Sequence, residues 1–318
     1  MNVSDAKTPK PRPVRGLALG FGIVFGLSLF ALFPFVRPAE WGEAKLRFRL
    51  WRAGAVAVRW EKHRGFTEDR CAGAAPADCP CVWFVHGMGD SAVTWRNFFL
   101  DPGSFDGRAV RLFAMDLPGH GSSLRRRDPS EYRVSRMADE LNAGIAATAE
   151  CRTNVLVGNS FGGWVAARMA YVAPGKFARL VLVGPAGVAA SEEATKDLFR
   201  EPSVESLKEF QRRAYFKPRE LSDREWAAAA ERMKHGSTGE IRDAQTPDER
   251  MDDKLGRIDV DTLLVHGEAD RIIPRAVIDV YAKGLPHREV VTIPECGHLP
   301  QKECPQKLFP IIRSALPK

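Results

Sequence analysis

Short, nearly continuous apolar runs of four to six residues recur along the chain from Val82, separated by longer stretches of helical character. The runs are Val82–Val85, Val110–Met115, Asn154–Val157, Leu180–Val183, Thr262–Val265 and Val290–Ile293. A strand with one wet face alternates apolar and polar residues; these do not, so both of their faces are expected to be covered. Interleaved with helices, such strands predict βαβ units: an α/β fold with a mostly parallel central sheet and helices on both faces. Each run is followed at once by Gly, Pro, Asp or His. In open α/β sheets ligands bind beyond the carboxyl ends of the strands, which is where this punctuation falls.

Two regions depart from the rhythm. Residues 189–257 contain no convincing strand and scatter Leu198, Val204, Leu207, Phe210, Tyr215, Phe216 and Trp226 among charged residues. We read them as an inserted helical cap over the strand ends, with a peripheral bundle as the alternative. Near the start, Gly16–Val36 holds no charged residue, close to the roughly 20 residues a helix needs to cross about 30 Å of hydrocarbon. Lys7, Lys10, Arg12 and Arg15 precede it, as in a secretory signal. The run exceeds the roughly 7 to 15 apolar residues of a cleaved signal, and Phe33–Pro38 lacks a small-residue cleavage site, so a retained signal-anchor is predicted.

The expected organisation is a basic tail (1–15), a transmembrane helix (16–36), a juxtamembrane segment (37–54), a core (55–188 and 258–318) and the cap (189–257). Trp41–Trp60 mixes apolar residues with Lys45, Arg47, Arg49, Arg52 and Arg59, which suits a stretch lying on anionic headgroups or a solvated basic face. Basic residues on both sides of the span balance, so the positive-inside count leaves its orientation open.

The 318 residues carry 44% hydrophobic and 27% charged residues, which excludes disordered, collagen-like and disulfide-scaffold chains. A net charge of +7 suits an anionic surface, yet no nucleic-acid-binding signature is present and no nucleic acid partner is expected. Of six cysteines, Cys71, Cys79 and Cys81 crowd one loop, Cys296 and Cys304 bracket another, and Cys151 stands alone. We expect Cys296 to pair with Cys304 and Cys71 with Cys79 or Cys81, against the alternative of unpaired thiols. That usage points to an oxidising compartment: a bacterial inner-membrane protein with its catalytic domain in the periplasm.

Candidate chemistry begins at Gly158-Asn159-Ser160-Phe161-Gly162-Gly163, a G-x-S-x-G motif between a predicted strand and a predicted helix. A sharp turn of this kind projects a nucleophile, here Ser160. Serine is a poor nucleophile unaided, so it needs a base and a group that orients the base. Asp270 follows the strand at Thr262, with Glu268 in reserve, and His298 follows the strand at Val290. The order Ser160, Asp270, His298 is the one expected of this strand–turn–helix context. Backbone N–H groups of Met88, in His86-Gly87-Met88-Gly89, and of Phe161 are placed to bind an oxyanion. His86 and His120 are assigned to holding loops and His266 to strand-end packing, while at most one or two of Trp95, Trp164 and Trp226 are expected in the pocket, since aromatic residues mostly serve the core. Neither a metal nor a cofactor is called for.

From Ala55 to Lys318 the chain resembles the α/β-hydrolases. The resemblance rests on Phe84–Gly89, Asp116-Leu117-Pro118-Gly119-His120-Gly121-Ser122-Ser123, Gly158–Gly163, Gly267–Asp270 and Gly297-His298, in the family's order. It implies Ser160, Asp270 and His298 as triad, and Met88 and Phe161 as oxyanion hole. Anchored lipases and monoacylglycerol lipases are similar in joining one N-terminal span to this fold, which implies a membrane-anchored hydrolase of carboxylic esters. The segment Val157–Gly163 is also similar to carbon–carbon bond hydrolases of the meta-cleavage type, although Leu299 stands where they have Trp. A non-catalytic binding protein on the same fold is the third reading.

Overall fold

A computed structural model describes residues 12–13, 38–60, 63–74, 79–148, 151–198, 203–234 and 236–317. The expected span at 16–36 lies outside the described residues. Among the described residues no helix is long and apolar enough to cross a membrane.

The strands are β1 (Arg12–Pro13), β2 (Val56–Trp60), β3 (His63–Asp69), β4 (Cys81–Val85), β5 (Arg111–Asp116), β6 (Asn154–Asn159), β7 (Arg179–Val183), β8 (Thr262–Gly267) and β9 (Arg288–Ile293). They form one sheet in the order β1-β2-β3-β5-β4-β6-β7-β8-β9. From β5 through β9 every neighbouring pair is parallel, whereas β1, β2 and β3 form an antiparallel edge.

The apolar runs form strands because successive side chains enter two different cores. In β4, Cys81, Trp83 and Val85 join one cluster while Val82 and Phe84 join the other. Leu180 and Leu182 against Val181 and Val183 divide β7 the same way. The first core is closed by α3 (Val134–Ala146), α4 (Phe161–Val172) and α9 (Arg275–Gly284). The second is closed by α1 (Pro38–Arg52), α2 (Arg96–Leu100) and, after the short α10 (Pro300–Glu303), by α11 (Pro305–Ser314).

Residues 189–257 lie between β7 and β8 and fold as α5 (Ala189–Thr195), α6 (Val204–Ala214), α7 (Asp223–Lys234) and α8 (Thr238–Ala244) with two short 3-10 turns. The basic stretch Trp41–Trp60 is not one amphipathic element: α1 ends at Arg52, the chain turns at Gly54, and β2 begins at Val56.

Three disulfides close the described cysteines: Cys71–Cys79, Cys81–Cys151 and Cys296–Cys304. Cys151 therefore does not stand alone. The parallel pairing of β4 with β6 brings Cys81 opposite Asn154, so the cysteine just ahead of β6 meets the cysteine that starts β4.

Candidate active site

The sequence-predicted site residues come from the carboxyl ends of β4, β6, β8 and β9. Ser160 sits between β6 and α4 with φ 56° and ψ −122°, in a region side-chain-bearing residues rarely occupy. Such strain persists only where the surroundings over-determine it. Here they do: the Ser160 N–H donates to Val183 O (3.0 Å), and Ser160 O accepts from Gly163, Trp164 and Ala186. Gly162 is required by close approach, since a Cβ there would lie 2.3 Å from His86 O and 2.5 Å from Val85 O.

His298 Nδ1 lies 2.7 Å from Asp270 Oδ2, both side chains being buried. The other Asp270 oxygen accepts the N–H groups of Ile272 (2.9 Å) and Ile273 (2.8 Å), so the carboxylate is held by three donors. Glu268, the reserve acid, is exposed and accepts from the Glu295 N–H instead.

The histidine loop is braced from three sides. Cys296–Cys304 spans it, Gly297 N–H donates to Glu303 Oε2 (2.7 Å), and His298 N–H donates to Ala214 O at the end of α6 (2.6 Å). Asn159, the residue before the nucleophile, donates through Nδ2 to His298 O (3.0 Å) and accepts through Oδ1 from Gln301 Nε2 (3.0 Å). These two amides tie the turn at Ser160 to the histidine loop. Sequence reasoning missed both, though Asn159 stood inside the motif.

Ser160, His298, Met88, Gly87, Gly89, Asp90, Asn159, Phe210 and Leu299 line one pocket of about 80 Å³. Phe161 opens α4, so its N–H belongs to the first turn, where helices have no internal acceptor. The pocket aromatic is Phe210, from the cap. Trp95, Trp164 and Trp226 do not line it: Trp95 packs on Phe84 and Phe98, Trp164 donates to Glu249 O, and Trp226 is buried within the cap under Lys208. Large rings went where they bury most apolar area.

His86 and His120 shape the loop at Met88. His86 donates from Nδ1 to Gly87 O (2.8 Å) and accepts at Nε2 from Leu117 N–H (3.0 Å). His120 donates from Nδ1 to Pro118 O (3.0 Å) and accepts at Nε2 from Gly89 N–H (3.0 Å). An acceptor role requires a neutral ring, and burial keeps both rings neutral: it lowers His86 below 6.5 and brings His120 from 6.5 to about 3. Asp116 adds a third tie, accepting from Ala92 N–H (2.7 Å) and from Ser122 N–H and Oγ–H (both 2.9 Å). His266 contacts Ile273 O at 3.3 Å, within the strand-end packing.

At the rim, Asp90 and Lys302 form an ion pair at 2.6 Å. Burial is the largest influence on both and opposes charge, yet the pairing and the neighbouring groups together outweigh it: Asp90 is held below its ordinary 3.8 and Lys302 above its ordinary 10.5. Among the described residues no group of three or more His, Cys, Asp or Glu side chains is gathered for a metal ion.

The family model described as "Alpha/beta hydrolase family" matches residues 84–311. The chain belongs to this family. Among curated relatives, the hydrolase is 28% identical over 243 residues to 2-hydroxy-6-oxo-6-phenylhexa-2,4-dienoate hydrolase of Burkholderia cepacia, covering 70% of this chain and 82% of that one. Among solved structures, it is similar to a membrane phospholipase A described as a bacterial virulence factor (TM-score 0.70, 23% identity, 92% of this chain and 96% of that one). It is also similar to a putative lipase from Acinetobacter baumannii AYE (TM-score 0.71, 20% identity, 86% and 96%). At these identities the solved structures show the hydrolase's fold.

Proposed function

We propose that this hydrolase is a membrane-anchored serine esterase of the lipase type. The observation that carries the reading is that His298, buried and bonded to Asp270, lines one pocket with a serine on a strained turn. In the proposed cycle His298 takes the Ser160 proton as Oγ attacks the ester carbonyl carbon. The carbonyl oxygen becomes an oxyanion held by the Met88 and Phe161 N–H groups, a stabilisation worth about 3 kcal/mol per donor. The intermediate collapses, the C–O bond breaks, and His298 returns the proton to the departing alkoxide. Water, deprotonated by the same imidazole, then releases the acid from Ser160. Asp270 keeps the ring aimed and offsets its positive charge.

The curated relatives favour a second reading, carbon–carbon bond hydrolysis, and their printed substrate is a dienoate, hence an anion. The pocket lining argues for the ester. Its described residues include no Lys or Arg, its one acidic member is Asp90, and Met88, Phe210 and Leu299 offer apolar contact. Asp90 is already paired with Lys302 at the rim, so no described cation is left lining the pocket to receive a carboxylate-bearing substrate, whereas an uncharged acyl ester needs none. The apolar run 16–36 supports lipid as substrate class by setting the enzyme at a bilayer. Three disulfides support the oxidising, periplasmic side.

Labelling with a fluorophosphonate tests the chemistry: modification of Ser160, lost in Ser160→Ala, is expected, and an inert serine in folded protein leaves a binding module. Comparing monoacylglycerols and p-nitrophenyl esters of graded length with 2-hydroxy-6-oxo-6-phenylhexa-2,4-dienoate tests the substrate. Faster turnover of the dienoate would reverse the ranking.

A further inference from the structure

Helix α1 has two unlike faces. Leu46 and the fully buried Leu50, four residues apart, pack into the second core, and the Arg47 guanidinium lies 5.1 Å over the Phe66 ring, fixing the helix from within. Lys45, Phe48 and Arg52, at spacings of three, four and seven, fall on the opposite side, and Trp51, one turn beyond Arg47, stands at its edge beside Phe48. Phe48 is 55% exposed and Trp51 66%, the largest exposures among the described large hydrophobic residues, and their rings touch at 5.6 Å between centroids. Lys45, Arg49 and Arg52 are exposed beside them. An aromatic pair set among cations is costly to leave in water and matches the boundary of an anionic bilayer, where rings reach the acyl region and cations meet phosphate. Chain position agrees, because α1 begins directly after the uncharged run that ends at Val36. The helix also packs against α7 of the cap, and α7 packs against α6, which carries Phe210 into the pocket.

We propose that α1 lies on an anionic lipid surface with Phe48 and Trp51 inserted, and so sets the cap against the bilayer that supplies the substrate. The lipid-delivery half rests on the esterase reading; the insertion half does not.

The test uses the full chain in proteoliposomes of phosphatidylcholine with and without phosphatidylglycerol, prepared with ordinary or brominated acyl chains. The fluorescence difference between the native protein and Trp51→Phe isolates Trp51. Brominated lipid is expected to quench that difference about twofold or more, and more strongly with phosphatidylglycerol present. Paired Phe48→Ser and Trp51→Ser substitutions are expected to slow hydrolysis of a bilayer-embedded ester about tenfold, with a soluble short-chain ester changed less than about twofold, which also shows that the variant is folded. An unquenched Trp51 would overturn the proposal, as would cross-linking of Trp51 positions between two copies of the chain with no quenching. If the native protein hydrolyses neither ester, the esterase reading fails while quenching still decides the position of α1.

Discussion

In the proposed mechanism Ser160, His298 and Asp270 act as a unit, so their single substitutions should not add. Ser160→Ala and His298→Ala are each expected to cost about a millionfold in kcat, with the double variant no worse. Asp270→Asn keeps the packing but loses the charge and reverses the hydrogen-bond demand on Nδ1, for an expected loss on the order of 10⁴ in kcat. Steady-state kinetics on a p-nitrophenyl ester measures all three, and near-native turnover in any of them would remove the assignment. Gly162 carries a different constraint: a methyl group there meets two backbone carbonyls, of His86 and Val85, that belong to the loop after β4 and to that strand. Gly162→Ala should lower the unfolding free energy by about 3 kcal/mol, read from the urea midpoint.

At the scale of elements, the loop after β4 is held by two neutral histidines, and its stability should follow pH accordingly. Between pH 6.5 and about 3 the unfolded chain binds a proton at His120 that the folded chain does not. Stability attached to this ring is therefore complete above pH 6.5 and falls as pH drops, by at most about 1.4 kcal/mol per pH unit. His86 acts in the same sense, its ring also lowered by burial. Urea melts at about pH 7.5 and about pH 5 should show a smaller difference for His120→Gln, whose amide oxygen can still accept from Gly89, than for the native chain. An unchanged difference would mean that His120 is charged in the folded protein.

The legibility of the elements varied for a definite reason. Strands β4 to β8 announced themselves, because burial on both faces leaves few polar positions in them. At the sheet edge, β9 buries only Ile293 and showed through its Val-Val-Thr-Ile run rather than through two covered faces. By contrast β3, His63-Arg-Gly-Phe-Thr-Glu-Asp69, buries His63 against Glu140 (2.9 Å) and Glu68 against Arg70 (2.8 Å). Paired polar side chains hide a strand from any pattern based on hydrophobicity. Phe210 as the aromatic of the pocket was not legible for a related reason, since composition names the large rings but not which layer each enters.

Across the whole molecule, the bond with the longest reach is Cys81–Cys151. It closes a separation of 70 residues, against 8 for each of the other two disulfides. On loop-closure entropy the long bridge contributes about 4 kcal/mol and each short one about 2.5 kcal/mol. Replacing Cys81 and Cys151 together by serine is expected to lower the urea midpoint more than replacing Cys71 and Cys79, and equal losses would show that chain entropy does not set the difference.

The sequence alone determined the α/β architecture, the sharp turn at Ser160, the places of Asp270 and His298 after their strands, and the helical insertion between β7 and β8. Each of these is written locally, in runs of a few residues whose burial or backbone geometry admits few alternatives. Tertiary structure decided what joins distant segments: the Cys81–Cys151 bridge, the Asn159–Gln301 tie across 142 residues, the Asp90–Lys302 pair and Phe210 in the pocket. A contact between remote segments depends on which strands are neighbours and how the helices cover them, and that choice belongs to the packing of the whole chain.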